Sequence, residues 1–397
     1  MRPHIAAPLC LALLLGPLAP GCERTESLVA WAAGPSVDTG GFSSDRAFDD
    51  LRALTEIGPR VAGSEGAARA RAYIEGELDK LGLEVEREEV SVTFSPDSPP
   101  LELTSLIATV PGESEDLFVL AAPYDTRPFE AFDFVGANDG GSGAALLLEL
   151  ARVLSGHRLP YTTLFVFLDG EAIRGGGDSD TPRLERLGSS GLAHRWATEG
   201  VLRRIRLLVL FNQVCDPDLR VARDLRSQRM YREEFWGAAA RLQHEDAFPP
   251  GQPFESPSAS HLSFLNRGLR PVVAIVDTSF GGDEPPGSYA NTEDDDLEHC
   301  SPQSLEIVGV VTLETLGRLA QRLERIDRFA DVPSVEPSGA GEVEADARAG
   351  GGAEAASEEP GAAGEADAEA APDPTGPEGA DPDAAAAGAE RENGETQ

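Results

Sequence analysis

Short, continuously apolar runs alternate with longer segments whose apolar residues recur at helical spacing, and this alternation most constrains the fold. The apolar runs have the length and composition of buried strands: Leu117–Ala122, Thr163–Leu168, Arg206–Phe211 and Pro271–Val276. Buried strands separated by helices are typical of a sheet that is covered on both faces. We therefore predict an α/β fold with a single large, mixed and mostly parallel sheet and helices on both faces.

Helical spacing and period-two alternation locate the remaining elements. Helices are predicted at Phe48–Ile57, Ala67–Leu81, Ala144–Leu154, Leu184–Trp196, Arg232–Leu242 and Pro302–Ile326, the last capped by Ser301. Leu83–Phe94 alternates apolar and charged residues and is predicted to be a half-exposed strand, followed by a strand at Leu101–Val110. Leu117–Ala122 is apolar throughout, which predicts a central position in the sheet.

Charge divides the chain into a folded part and a tail. The formal net charge is -36, and residues 333–397 contain 17 acidic residues against two basic ones. This tail consists mainly of Ala, Gly, Pro, Glu and Asp and cannot bury enough apolar surface to offset its ordering entropy. We predict a folded domain over 45–332 and a disordered acidic tail over 333–397. The acidic excess also argues against nucleic acid as a partner, because phosphates would be repelled.

The N-terminus has the pattern of an export signal. Arg2 precedes an apolar run that is too short and too often interrupted by proline to span a bilayer, so residues 1–21 are predicted to be a signal peptide. The run ends in Leu18-Ala19-Pro20-Gly21-Cys22, which resembles the lipobox of bacterial lipoproteins and implies a lipid on Cys22. Residues 22–44 would then tether the domain to the membrane on the extracytoplasmic side. Cleavage and secretion without a lipid is the alternative.

Two cysteines lie in the predicted domain, Cys215 and Cys300. Export permits a disulfide between them. Two separate buried thiols are equally compatible with the sequence.

Polar residues follow the predicted strands, where ligand sites of open α/β sheets form. Tyr124-Asp125 follows the first buried run, and a glycine-rich loop, Gly136–Gly143, precedes the next helix. Asp169-Gly170-Glu171 follows the second buried run and Asn212 the third. We expect these side chains to meet at one edge of the sheet.

The order of these segments resembles the family of zinc aminopeptidases and glutaminyl-peptide cyclotransferases. The resemblance extends from Phe48 to Leu323 and is most specific at Gly136–Gly143 and Asp169–Glu171. It implies a zinc-exopeptidase-like fold and a zinc cofactor, with Asp139 as a metal ligand and Glu171 as the catalytic base. Cys300-Ser301-Pro302 is closer to the cyclases than to the aminopeptidases.

Other ligand positions implied by the resemblance carry residues that bind zinc poorly. Ala172 stands where a second acid is normal, and Asn291 stands where a histidine is normal. Pro123 and Asn212 replace a histidine and an aspartate of two-metal members. Zinc sites depend on several convergent ligands, so one matched ligand would not hold the metal usefully.

Each candidate residue also has a structural alternative. Asp139 could cap the following helix, and Glu171 could be a solvated loop acid. His261 aligns with a substrate-pocket segment of the resembling family, with a satisfied loop histidine as the alternative. The acidic runs Asp178–Asp180 and Glu293–Asp296 are predicted to be solvated loops rather than calcium sites.

Three functions follow as hypotheses. The first is a catalytically silent envelope lipoprotein that binds peptide N-termini or an envelope protein in the former active site. The second is a working cyclase or aminopeptidase whose metal site is rearranged, with Asp125, Asp178 or His261 as replacement ligands. The third is a purely structural lipoprotein.

Overall fold

The computed structural model describes residues 41–330, except 98, 158, 175–183, 252 and 255–259. The predicted signal peptide and Cys22, most of the tether over 22–44, and the tail over 333–397 lie outside the described residues. Within the described part, no helix is both long and apolar enough to cross a membrane.

A six-stranded mixed sheet forms the centre of the domain, as predicted. Its strands are β1 (Val85–Val92), β2 (Leu101–Val110), β3 (Ser114–Pro123), β4 (Tyr161–Leu168), β7 (Ile205–Asn212) and β10 (Val272–Val276). They are ordered β1-β2-β4-β3-β7-β10. Strands β4, β3, β7 and β10 run parallel, whereas β2 is antiparallel to both of its neighbours. The apolar strand β3 pairs with β4 and β7 and so occupies a central position, as predicted.

Short strands pair outside this sheet. They are β5 (Ile173–Arg174) with β6 (Leu184–Glu185), and β8 (Arg223–Asp224) with β9 (Pro253–Phe254). The pairing of β6 corrects the predicted helix Leu184–Trp196, which begins three residues later, at Leu187. Apolar spacing at Leu184 fits a strand as well as a helix, so the pattern could not locate this boundary.

Seven α-helices cover the sheet in the described part of the chain. They are α1 (Ser44–Glu56), α2 (Glu65–Asp79), α3 (Gly143–Ser155), α4 (Leu187–Glu199), α5 (Arg229–Arg241), α6 (Ser260–Leu265) and α7 (Pro302–Ala330). The start of α7 matches its sequence signal, because Ser301 Oγ accepts a hydrogen bond from Gln303 N (3.2 Å) and Pro302 opens the helix.

Alternate residues of each strand pack into two hydrophobic clusters on opposite faces. Phe118, Leu120 and Ala122 of β3 contribute to the larger cluster, which includes residues of α1, α2, α3, α5 and α7. Leu117, Val119 and Ala121 contribute to the smaller one, which contains Trp196 of α4 and Phe264 of α6. The period of two along the strand therefore places helices on both faces of one sheet.

A disulfide joins Cys215, beyond β7, to Cys300, before α7. It closes a loop with a sequence separation of 85 residues. Asn138 Oδ1 accepts a hydrogen bond from Cys215 N (3.0 Å), so the bridge also lies against the glycine-rich loop. The sequence did not decide whether Cys215 and Cys300 pair. The disulfide that they form holds the end of β7 close to the glycine-rich loop.

Candidate functional site

The parallel strands bring their carboxyl ends to one edge of the sheet, and the predicted polar residues follow them there. Asp125 lies just beyond β3, Glu171 just beyond β4, and Asn212 ends β7. The glycine-rich loop, Gly136–Gly143, leads into α3 at the same edge. This edge is the candidate site.

Asp125 organises the loop beyond β4. Its Oδ2 accepts hydrogen bonds from Glu171 N and Ala172 N, both at 3.0 Å, and its side chain is buried. Burial raises the pKa of Asp125 well above its usual range, and the nearby carboxylates of Asp169 and Glu171 raise it further. The carboxyl group is therefore committed to holding backbone amides.

Glu171 is held by the first turn of α4. Its Oε1 accepts a hydrogen bond from Ser189 N (2.5 Å) and its Oε2 from Ser189 Oγ (2.9 Å). The approach is close because the preceding residue is Gly188, where an added Cβ would lie 1.8 Å from Asp169 O. Burial raises the pKa of the Glu171 carboxyl group. The Glu171 carboxylate, from the loop beyond β4, therefore caps the N-terminus of α4. It is buried, so the interpretation as a solvated loop acid is wrong.

Asp139 and Asn212 form a direct side-chain pair. Asn212 Nδ2 donates a hydrogen bond to Asp139 Oδ1 (2.8 Å), and Asn212 Oδ1 accepts one from Gly140 N (3.1 Å). The amide therefore bridges the carboxylate and the backbone of the glycine-rich loop. The hydrogen bond observed for the Asp139 carboxylate is thus to Asn212 rather than to an amide of α3.

Asp295 contacts the same loop, which corrects the prediction of a solvated loop at this residue, whereas Glu293 and Asp294 are exposed as predicted. Its side chain is fully buried, and its carboxylate accepts hydrogen bonds from Asn138 N (2.6 Å) and Asp139 N (3.2 Å). Burial, followed by the charge of Asp139, raises the pKa of Asp295 to about 7. The sequence could not indicate that Asp295 is buried, because the two amides that it binds are more than 150 residues away along the chain.

The buried side chain of Arg60 links α1 to the two loop segments that follow β3. The side chain is fully buried and donates hydrogen bonds to five buried or part-buried carbonyls, those of Leu54 (3.2 Å), Gly58 (3.5 Å), Tyr124 (2.9 Å), Val135 (2.6 Å) and Gly136 (2.8 Å). Burial lowers the pKa of Arg60 to about 10, while the charges of Asp295, Asp125 and Asp139 oppose this shift. The guanidinium therefore stays charged at neutral pH and ties the loop beyond β3 to α1.

A cavity of about 160 Å³ opens at this edge of the sheet. Its polar wall includes Asp139, Asn212, Asn291, Asp224, His261 and two arginines, Arg127 and Arg186. Leu210, Ala274 and Val276 of strands β7 and β10 contribute an apolar wall. The predicted residues Asp139 and His261 thus line one cavity, whereas Glu171 is not among its lining residues in the described part of the chain.

His261 is fully buried in α6. Its Nε2 lies 3.3 Å from Asp224 Oδ2, but neither ring nitrogen forms a hydrogen bond of good geometry with a described residue. Asp224 Oδ2 accepts hydrogen bonds from Ser227 N (2.7 Å) and Ser227 Oγ (2.8 Å). The environment of His261 is therefore not that of a satisfied loop histidine.

The residues around Asp139 do not fit a catalytic zinc ion. Such a site needs about three side chains of the His, Cys, Asp or Glu type. Over the described ranges, no group of three or more such residues is arranged to hold a metal ion. The Asp139 carboxylate instead accepts a hydrogen bond from the Asn212 amide, whose N–H group cannot act as a metal ligand. Of the suggested replacement ligands, Asp125 is engaged with amides and Asp178 lies outside the described residues.

Sequence reasoning did not identify several residues of this site. They are Arg60, Ser189, Asp224, Arg186 and Asp295. Arg60 was not identified because most of its partners are carbonyls of two distant segments, at Tyr124 and at Val135-Gly136. The displaced start of α4 puts Arg186 just before the helix, where it donates a hydrogen bond to Glu171 O (3.1 Å).

Comparisons with known proteins agree with the fold. The bovine glutaminyl-peptide cyclotransferase-like protein is 29% identical over 298 residues, which are 67% of this chain and 74% of that protein. The glutaminyl-peptide cyclotransferase of Drosophila melanogaster is 32% identical over 166 residues, 40% of this chain and 46% of that protein. The chain therefore spans less than half of the Drosophila relative in that match.

Solved structures of similar proteins also indicate this fold, and they cover a larger share of this chain than the sequence matches do. The crystal structure of an Acidobacteriales bacterium glutaminyl cyclase superposes with a TM-score of 0.64 and 30% identity, covering 77% of this chain and all of the other. A Zn-dependent exopeptidase from Parabacteroides distasonis shares the fold, with a TM-score of 0.61 and 23% identity over 69% of this chain and 98% of the other. The model of peptidase family M28 matches residues 105–316, more than half of the chain. The chain therefore belongs to peptidase family M28, with a glutaminyl cyclase-like domain.

Proposed function

We propose that this protein is an exported lipoprotein whose cyclase-like domain is catalytically silent and uses the former active site to bind peptide N-termini or an envelope protein. The observation that carries the proposal is the hydrogen bond from Asn212 Nδ2 to Asp139 Oδ1. The one carboxylate retained from the family's ligand set is paired with an amide, while alanine and asparagine stand at two other ligand positions.

The position of Glu171 supports the same proposal. A general base must reach the proton that it abstracts, either directly or through one water molecule. Both carboxylate oxygens of Glu171 accept hydrogen bonds from Ser189, and the residue is only 2% exposed. Its contacts therefore favour a structural role over proton transfer in the cavity.

Measurements of zinc content and of enzymatic turnover test whether the domain is catalytically silent. We expect protein purified without chelators to contain far less than one zinc ion per chain by inductively coupled plasma mass spectrometry. We also expect no cyclisation of glutaminyl peptides and no cleavage of aminoacyl anilides with zinc added. Stoichiometric zinc together with turnover would instead support the alternative, a working cyclase or aminopeptidase with a rearranged metal site.

Lipidation of Cys22 is the second part of the proposal, and the lipobox-like segment Leu18–Cys22 supports it. Replacing Cys22 with alanine is expected to move the protein from the membrane fraction to the soluble extracytoplasmic fraction, because acyl chains supply the membrane affinity. Cys10→Ala is the matched control, since Cys10 lies within the apolar run and should not carry the lipid. Membrane retention of the Cys22 variant, measured by fractionation and immunoblotting, would contradict the proposal.

A further inference from the structure

The cavity described above contains both signs of charge on its wall. Arg127 and Arg186 contribute guanidinium groups, and Asp139 and Asp224 contribute carboxylates. A wall of this kind matches a ligand that itself carries a positive and a negative group, since each ligand charge then has a partner when it leaves water.

Unpartnered buried atoms show where a ligand would bind. In the described part of the chain, Asp224 Oδ1, Asn291 Oδ1 and the ring nitrogens of His261 are buried without a hydrogen-bond partner. Asp224 is 4% exposed and His261 is fully buried, and both line the cavity. Buried polar atoms are nearly always hydrogen-bonded, so a cluster of unpaired ones calls for a partner. Because the two oxygens are acceptors, the partner must offer N–H or O–H donors, and an ammonium group supplies three N–H donors.

Arg186 provides the opposite chemistry on the same wall. Its Nη1 lies 3.1 Å from Glu171 O and 3.5 Å from Ser260 Oγ, which orients the guanidinium beside α6. Five donor hydrogens in a planar fork suit recognition of a carboxylate. The apolar wall formed by Leu210, Ala274 and Val276 would contact an uncharged part of the ligand.

Cavity size restricts the ligand further. A volume of about 160 Å³ lies below the roughly 300–1,000 Å³ of drug-sized pockets, yet is several times the roughly 30 Å³ that one water molecule takes up in the liquid. We propose that the cavity binds a free α-amino acid with an apolar side chain, its carboxylate on Arg186 and its ammonium group on Asp224. This inference deepens the proposed function and rests on the pocket being free of zinc.

Calorimetry on the full chain with three probes tests the proposal. L-leucine carries both charged groups, L-leucinamide lacks the carboxylate, and 4-methylpentanoate lacks the ammonium group. We expect saturable binding of L-leucine, and binding about tenfold or more weaker for each truncated probe, because each lacks one of the two charged groups that the wall would bind. Equal affinity for the three probes, or no saturable binding of L-leucine, would overturn the proposal.

Two variants test which side chain binds each charged group of the ligand. Arg186→Gln should lower the affinity for L-leucine to that for L-leucinamide, and leave the affinity for L-leucinamide unchanged. Asp224→Asn should lower it to that for 4-methylpentanoate, again without further loss for that probe. General destabilisation would weaken all three probes together, so this pattern separates binding roles from structural ones.

The chain offers a matched control for each variant. Arg267 also donates to a carbonyl and a serine hydroxyl, those of Ser263 (3.2 Å) and Ser190 (3.4 Å), but does not line this cavity. Asp277 accepts from Ser279 N (2.9 Å) and Ser279 Oγ (3.0 Å), as Asp224 does from Ser227, and is also outside the lining. Arg267→Gln and Asp277→Asn should retain L-leucine binding. Failure to bind L-leucine in protein without zinc or turnover would refute this inference alone, whereas zinc-dependent turnover would refute the proposed function.

Discussion

Replacing Ala172 with glutamate and Asn291 with histidine is expected to give the protein a zinc site. With Asp139, these residues would provide the three ligands that a catalytic zinc site requires. The family resemblance indicates the two positions, and the backbone at Asn291 supports the exchange. Its φ of 60° is left-handed, a region in which histidine is enriched as asparagine is.

We expect a large gain in zinc affinity, because the two substitutions add two ligands to the one that Asp139 provides. We expect about one zinc ion per chain in the double variant, and an affinity that rises by more than the roughly 10–100-fold that outer-shell partners contribute. Equilibrium dialysis with mass spectrometry measures both quantities. The control is the Ala172→Gln, Asn291→Gln double variant, whose side chains have similar size but are poor zinc ligands. A folded glutamate–histidine variant with no more zinc than this control would contradict the proposed ligand positions.

Replacing Arg60 with methionine is expected to destabilise the domain by about 4 kcal/mol or more, because several buried carbonyls would lose a charged donor. Methionine has a similar length but no donor, so carbonyls in three segments, including those of Tyr124 and Gly136, would remain buried and unpaired. A loss of this size is a large fraction of the roughly 5–15 kcal/mol that stabilises a typical domain. Unfolding in guanidinium chloride, monitored by circular dichroism, measures the change.

Arg69 is the matched control for this prediction. Its Nη2 also donates to a backbone carbonyl, that of Ile57 (2.9 Å), but the contact is exposed. Arg69→Met should therefore change the free energy of unfolding by no more than about 1 kcal/mol. Similar losses in the two variants would show that burial of the Arg60 contacts does not determine their contribution.

The fold could be predicted from sequence because local patterns agree with the tertiary arrangement. Ala144–Leu154 was predicted as a helix and forms as Gly143–Ser155, and the buried run Arg206–Phe211 forms as Ile205–Asn212. Short elements such as β8 and α6 were not predicted, and Leu184 was placed in a helix because its spacing is compatible with a strand or a helix. Its outcome is decided by pairing with Arg174, which no local pattern reports.

The contacts within the site could be predicted only in part. Strand ends identified Asp125, Glu171 and Asn212, because polar residues beyond apolar runs are visible in sequence. Their partners were not visible. Asn212 meets Asp139 across 73 residues, and Glu171 meets Ser189 through a close approach that Gly188 permits. Such contacts depend on how loops from different strands are brought together, and periodicity contains no information about that.

The amide of Asn212 has a consequence for how the pocket is controlled. In a metalloenzyme, the ion draws its ligands together, so the shape of the site depends on metal supply and on competing chelators. Here a neutral side chain links Asp139 to the backbone at Gly140 through covalently fixed donor and acceptor atoms. If the proposed function is correct, occupancy of this binding site should depend on ligand concentration and be the same in surroundings rich or poor in zinc.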